Sequence, residues 1–303
     1  MPRQNSIVST GGGQAAAQEV WRAQSIWSQA AGRQKAAIDR ARAATLGATV
    51  AAGVLGAASA QLIPISPPVG RTLAFLAMLA AGVAPFVAVG AAPDRIRRWL
   101  RLRSVSEEVK SQVYVHLAGL AQYRQRARRD AELLERTGTL LAQVVDLEPE
   151  TRGLRPADRP LPSVIDTDGY VEHRLRFQLE GYYRPRADEM ARRARLIERY
   201  GQALAVLSVL LGAAAGAFGA QSTAVWIPVV TAVSASVVSH GASARYARQQ
   251  IEYSTTAGEL ERLLRWWQQR APATDADADR LAEWTEHVVS VQNEGWMAKW
   301  IAD

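Results

Sequence analysis

The sequence predicts an all-α membrane protein. Two transmembrane helical hairpins, four spans in all, would be joined by long cytoplasmic helices packed as a helical bundle or coiled coil. Three observations carry this. Residues 200–244 contain no Asp, Glu, Lys or Arg, and one helix needs only ~20 apolar residues to cross hydrocarbon. A second zone, residues 43–93, is interrupted by Arg71 alone. The cations of a chain of net charge +7 cluster beside these runs instead of within them, as they do at the ends of membrane helices. A buried helix pair in a soluble bundle would show a charge every few turns, because one face meets water.

Composition narrows the class. A length of 303 residues has room for about two domains. Cysteine is absent, which excludes a disulfide framework, a thiolate metal site and a cysteine nucleophile. A basic chain suits nucleic acid or an anionic membrane surface. Cations flanking uncharged runs favour the membrane, and no nucleic-acid partner is expected. Residues 1–20 are rich in Gly, Ser, Gln and Ala without an apolar core. They read as a disordered tail and not as a secretory signal.

The first unit is expected over residues 21–148. A helix led by Trp21, Ile26 and Trp27 runs through Arg33, Lys35, Arg40 and Arg42 into a span near residues 43–63. Pro64, Pro67, Pro68 and Gly70 make a turn, and a second span follows near residues 72–91. Pro85 should kink that span, which membrane helices tolerate. From Asp94 to about Val145 there is no proline, and Val105, Val109, Val113, Leu117 and Leu120 recur at helical spacing. One long helix with one apolar stripe is predicted. Arg95, Arg97, Arg98, Arg101 and Arg103 are candidate lipid-surface anchors, each basic side chain contributing about 1 kcal/mol near anionic lipid.

Residues 149–163 hold four prolines and read as a linker. The second unit, residues 164–303, repeats the plan of basic helix, hairpin and long polar helix. Its spans are expected near residues 202–219 and 224–243, with the turn near residues 219–223. Trp226 suits an interfacial aromatic, and Pro228 falls in the first turn of the returning helix, where a missing N–H does least harm. Leu204, Val206, Leu207, Val209, Leu210, Leu211 and Phe218 together contribute only about −2 to −4 kcal/mol to insertion. Beyond the hairpin, Tyr246, Tyr253, Leu260 and Trp267 recur every seven residues, with Gln250, Ala257 and Leu264 between them. This is a short helix–helix seam. The last helix carries Leu281, Trp284, Val288 and Val291 on one side. Trp296, Met297, Trp300 and Ile301 add apolar surface for docking on the bundle, on lipid or on another subunit.

Orientation follows from the flanks. Residues 33–42, 94–103, 184–199 and 245–248 carry 4, 5, 6 and 2 Lys or Arg, against Arg71 alone in the two turns. Both termini and the middle segment are therefore expected in the cytoplasm of a multi-pass cell-membrane protein.

No enzyme is expected. There is no phosphate-binding glycine loop ending in Lys-Ser/Thr. His116, His173, His240 and His287 share no ligand spacing, no triad assembles, and no cofactor or metal is implied. Small residues are the informative pattern. Gly212 and Gly216 stand four apart, and Gly56 lies in a similar series with Ala52 and Ala60. This spacing brings membrane helices close, within a hairpin or between copies in a homo-oligomer. Thr231, Ser234, Ser236, Ser239 and His240 lie along the fourth span. They are candidates to line a water-filled path, or to bond their own carbonyls. No charged residue lies within a span, which argues against proton-coupled transport.

Three stretches carry a family likeness: residues 21–27 (WRAQSIW), 103–114 (RSVSEEVKSQVY) and 290–300 (SVQNEGWMAKW). The chain resembles the SLATT family, the SMODS- and SLOG-associating two-transmembrane effector domains of bacterial conflict systems, as two units of different subfamilies in tandem. The resemblance implies a membrane effector that perforates the bilayer when a separately encoded nucleotide-sensing system fires. It implies no catalytic residues. The doubled hairpin and the missing fused sensor depart from the simplest pattern. The residues alone also allow a membrane-anchored scaffold that recruits a partner.

Overall fold

A computed structural model describes residues 10–218, 226–270 and 272–301. Among them there is helix and no strand. Helix α1 is Thr10–Leu62, α2 Pro67–Ala88, α3 Pro93–Ala118 and α4 Arg129–Ala142. A one-turn α5, Thr167–Tyr170, widens into a π-helical stretch, Val171–Tyr183, and continues as α6, Arg184–Phe218. Then come α7 Trp226–Ala244, α8 Tyr246–Gln268 and α9 Asp275–Ile301. Four of these continuous helices are long and apolar enough to cross a membrane. The turn expected near residues 219–223 lies outside the described residues, as do the side chains of Trp296, Met297, Trp300 and Ile301.

The chain divides into two compact units, and each draws on both sequence halves. The polar unit comprises Met1–Lys35, Ile96–Arg186 and Glu252–Asp303; the membrane unit comprises Ala36–Arg95 and Ala187–Ile251.

In the membrane unit the two hairpins are held by close backbone approach. A Cβ at Gly70 would stand 2.6 Å from the Ile63 backbone nitrogen, and Ser59 Oγ donates to Gly70 O at 2.8 Å. The turn contracts to four residues, because Pro67 and Pro68 occupy the first helical positions of α2, where no N–H is needed. Helix α2 continues through Pro85 and tightens into a 3₁₀ turn, Val89–Ala91. A Cβ at Gly90 would meet Ala41 at 2.7 Å, and one at Gly241 would meet Ile197 at 2.6 Å. Large apolar side chains such as Phe75, Met78, Phe86, Val209 and Leu210 face outward. Lipid is the solvent that makes such a surface stable.

In the polar unit the expected stripe is inside: Val105, Val109, Val113 and Leu120 are buried. So are Tyr253, Ala257, Leu260 and Leu264 of the α8 seam. Three expectations need correction. Thr10–Val20, read as disordered tail, belongs to α1, and Ala16, Ala17 and Val20 are buried. An alanine run favours helix, and the buried face fixes it. The long helix after the first hairpin breaks at Gly119. There the Leu120 N–H reaches Val115 O at 3.1 Å and the Gly119 N–H reaches His116 O at 3.0 Å. With Gly119 at φ +66°, this is the Schellman stop that glycine supplies. The Pro-rich linker is a strap docked along α1. Trp21 Nε1 donates to Pro160 O at 2.9 Å, Gln29 Nε2 to Arg155 O at 2.9 Å, and the Ala157 N–H to Ser25 Oγ at 2.9 Å.

Candidate functional site

Two polar arrangements carry the chain's chemistry, one in each unit. In the polar unit, Arg103, Glu107, Lys110 and Tyr114 recur every three or four residues on α3, so they share a face. Opposite them stands Arg174 of the π-helical stretch, only 1% exposed. Its Nε and Nη2 grip the Glu286 carboxylate of α9 at 2.9 and 2.6 Å. Tyr170 Oη donates to the same carboxylate at 2.7 Å. Glu107 Oε2 lies 3.6 Å from Arg174 Nη1, and the guanidinium lies 5.2 Å from the Tyr114 ring centre. Arg103 donates to Tyr182 Oη at 2.5 Å.

The electrostatics follow from burial and pairing. Burial pushes the Glu107 carboxyl up, but Lys110, Arg174 and Arg103 together bring it down to about 2. Burial lowers the Lys110 amine, and Glu107 opposes this. Arg174 is desolvated too, yet Glu286 and Glu107 hold its pKa well above the ordinary value. The group is thus a buried network of opposed charges, tying α3, the π-helical stretch and α9 together.

Two of the likeness-bearing stretches meet in this unit. Trp21 packs edge-on against Tyr114, centres 6.2 Å apart, and stacks under Arg159 of the strap at 3.6 Å. Gln24 Nε2 donates to Ser106 Oγ at 2.9 Å, and Arg159 bonds Gln24 Oε1. The sequence contained the α3 spacing of this network. Its partners Arg174 and Glu286 lie 112 residues apart, and no local signal joins them.

The basic candidates after α2 separate. Arg103 is in the buried network. Arg98 pairs with Glu150 at 3.0 Å and Arg101 with Asp146 at 2.5 Å. Arg95 is exposed and Arg97 half-buried.

In the membrane unit, the candidates on α7 do not share one face. At 100° per residue, Thr231, Ser234, Ser236, Ser239 and His240 fan over about 240°. Ser239, Ser236 and His240 fall within an arc of about 100°, and Thr231 and Ser234 lie on the other side. Thr231 Oγ1 donates to Ile227 O at 2.9 Å and Ser236 Oγ to Ala232 O at 2.8 Å. Such bonds use the hydroxyl hydrogen and leave lone pairs for water. The His240 ring lies 6.4 Å from that of Tyr246. Gly56, Gly212 and Gly216 are open, since a Cβ at any of them would meet nothing within 4 Å. The close approaches within the hairpins fall instead at Gly70, Gly90 and Gly241.

Two family models match. Residues 170–296 match the SMODS and SLOG-associating 2TM effector domain 1, and residues 25–131 match a protein family of unknown function, DUF4231. No curated protein and no solved structure matches the chain. Each matched segment holds one hairpin with flanking polar helix. Residues 170–296 of this chain are therefore a SLATT-family two-transmembrane effector domain, and residues 25–131 are consistent with a second, different SLATT-like unit.

Proposed function

We propose that this chain is a multi-pass membrane effector that assembles through its hairpins into a bilayer pore. In this reading it is a homo-oligomer of the cell membrane with both termini cytoplasmic. Its two tandem units, residues 21–148 and 164–303, are held shut by the polar helices until a separately encoded signalling protein acts on them. A bacterial defence or cell-suicide response is the setting that an effector domain of this kind suits. The observation that carries the reading is the arc of Ser236, Ser239 and His240 on a helix otherwise fit for lipid. Water-filled paths are lined by such groups. The open surfaces at Gly56, Gly212 and Gly216 support close packing against further copies.

Purified protein in liposomes tests this by dye release. Ser236→Leu with Ser239→Leu is expected to lose most of the leak, whereas Thr231→Leu with Ser234→Leu keeps it. Intact liposomes under every activating condition would overturn the pore.

A second reading is a membrane-anchored scaffold. It is favoured by the back-bonded hydroxyls of α7 and by a groove of about 350 Å³ between α8 and α9 in the polar unit, lined by Glu259, Arg262, Leu263, Trp284, His287 and Val288. A scaffold would tolerate both leucine pairs and retain a partner in pull-down.

A further inference from the structure

We infer that the path lined by Ser236, Ser239 and His240 is selective for anions, with Arg42, Arg193 and Arg245 at its α7 C-terminal end setting the preference. The inference rests on the pore reading above.

The argument begins with where the charge lies. The membrane unit contains ten arginines and five carboxylates, a balance of +5 out of the chain's +7. The polar unit, although larger, is close to neutral. Arg71 is the single charge on the hairpin-turn side among residues 43–93 and 200–244. Nine arginines therefore stand at the other ends of the spans.

The polar arc ends among these cations. His240 lies within electrostatic range of Arg42 of α1. Arg42 is half-buried and interacts with Asp39, Tyr246 and Arg245. The Arg193 guanidinium of α6 stands 5.8 Å from the Tyr246 ring centre, on the ring that also faces His240. Helices α1, α6, α7 and α8 each bring a group to this one place. Carboxylates belong to it as well. Asp39 acts on Arg42, and Glu189 is held by Arg193 at 2.7 Å. The nine arginines at these span ends outnumber the five carboxylates of the membrane unit, which leaves a net positive end. Every further copy in an oligomer repeats it as a ring.

The physics is that of charged vestibules. Arginine stays protonated at any physiological pH. A ring of arginines concentrates anions and repels cations in a narrow, low-dielectric mouth. No carboxylate within a span counters it, since residues 43–63, 72–91, 202–219 and 224–243 hold none. Chloride and small organic anions would pass in preference to potassium.

The test is single-channel or macroscopic recording of the full chain in planar bilayers of neutral phosphatidylcholine under a potassium chloride gradient. Neutral lipid is needed because anionic headgroups would themselves attract cations. The reversal potential is expected to have the chloride sign. The preference should weaken from 0.1 M to 1 M salt, as the screening length falls from about 10 Å to about 3 Å. Arg42→Gln should lower the chloride-to-potassium permeability ratio, and Arg42→Glu should bring it below one. Arg193→Gln, at a more exposed position, should shift it the same way without risk to the fold. A potassium-selective or unselective conductance in the unmodified protein would overturn the inference and leave the pore standing. No conductance under any activating condition would overturn the pore and this inference together.

Discussion

Arg174 shows how much a single buried charge controls. It is 1% exposed and shares Glu286 with Tyr170. Removing one member of such a pair leaves an uncompensated buried charge, at a cost of about 3–5 kcal/mol. Arg174→Met is therefore expected to lower the unfolding free energy in detergent by that amount. Arg174→Met with Glu286→Leu should recover most of it, because an apolar pair of similar volume removes both desolvation penalties. A double variant as unstable as the single one would show that the charges themselves are required. Glu107 makes the same network sensitive to pH. Its folded-state pKa of about 2 lies below the ordinary 4.5. A depressed carboxylate contributes stability that is complete above the unfolded value and lost as pH falls through the folded one. Denaturant midpoints should therefore drop between about pH 4.5 and pH 2, by up to about 3 kcal/mol in stability terms. Glu107→Gln should flatten that drop. An unchanged pH profile in the variant would assign the acid sensitivity to other carboxylates.

At the level of elements, the clearest contrast is between two glycines of the polar unit. Gly119 stops α3 with φ +66°, and a Cβ there would meet nothing within 4 Å. Gly119→Ala should thus cost about 1 kcal/mol purely through the left-handed backbone. Gly138 lies inside α4, also with open space around it. Gly138→Ala should stabilise by up to about 1 kcal/mol, from helix propensity alone. Thermal melts of the two variants that move in the same direction would refute this account. These two residues also show what local sequence can reveal. The four spans, the α8 seam and the position of Pro228 were all legible, because uncharged length, a seven-residue period and a first-turn proline are local signals. The break at Gly119 had a local signal too, but the absence of proline argued for continuity and outweighed it. The start of α1 at Thr10 was hidden because a Gly-rich, Ala-rich segment is helical only when its Ala17 and Val20 find a buried surface. The strap was hidden for a different reason. Its prolines forbid helix, but only Trp21, Gln24, Ser25 and Gln29, more than 120 residues away, decide that it docks.

On the scale of the whole chain, the two matched segments are consecutive in sequence, but the polar unit is built from both. Glu107 belongs to the first segment, and Arg174 and Glu286 to the second. Arg124 and the Ala121 N–H of the first half bind Asp279 of α9 at 2.7 and 2.6 Å. This fixes Ala121 in a left-handed conformation, φ +50°, that an alanine does not adopt unaided. No spacing rule could assign these pairs, because each joins residues more than 60 positions apart in the sequence. The consequence concerns autonomy. A half lacking its counterpart would expose the buried faces of α3 or α9, and would part Glu107 from Arg174 and Arg124 from Asp279, although Arg174 keeps Glu286 and Glu107 keeps Lys110. Fragments 1–150 and 151–303 expressed separately are therefore expected to insert their hairpins but to leave their polar helices open to protease. Co-expressed, the two should copurify in detergent and regain the resistance of the intact chain. If either fragment alone resisted protease and unfolded as cooperatively as the full protein, each unit would carry its own core, and the long-range pairs around Arg174 and Asp279 would be incidental to folding.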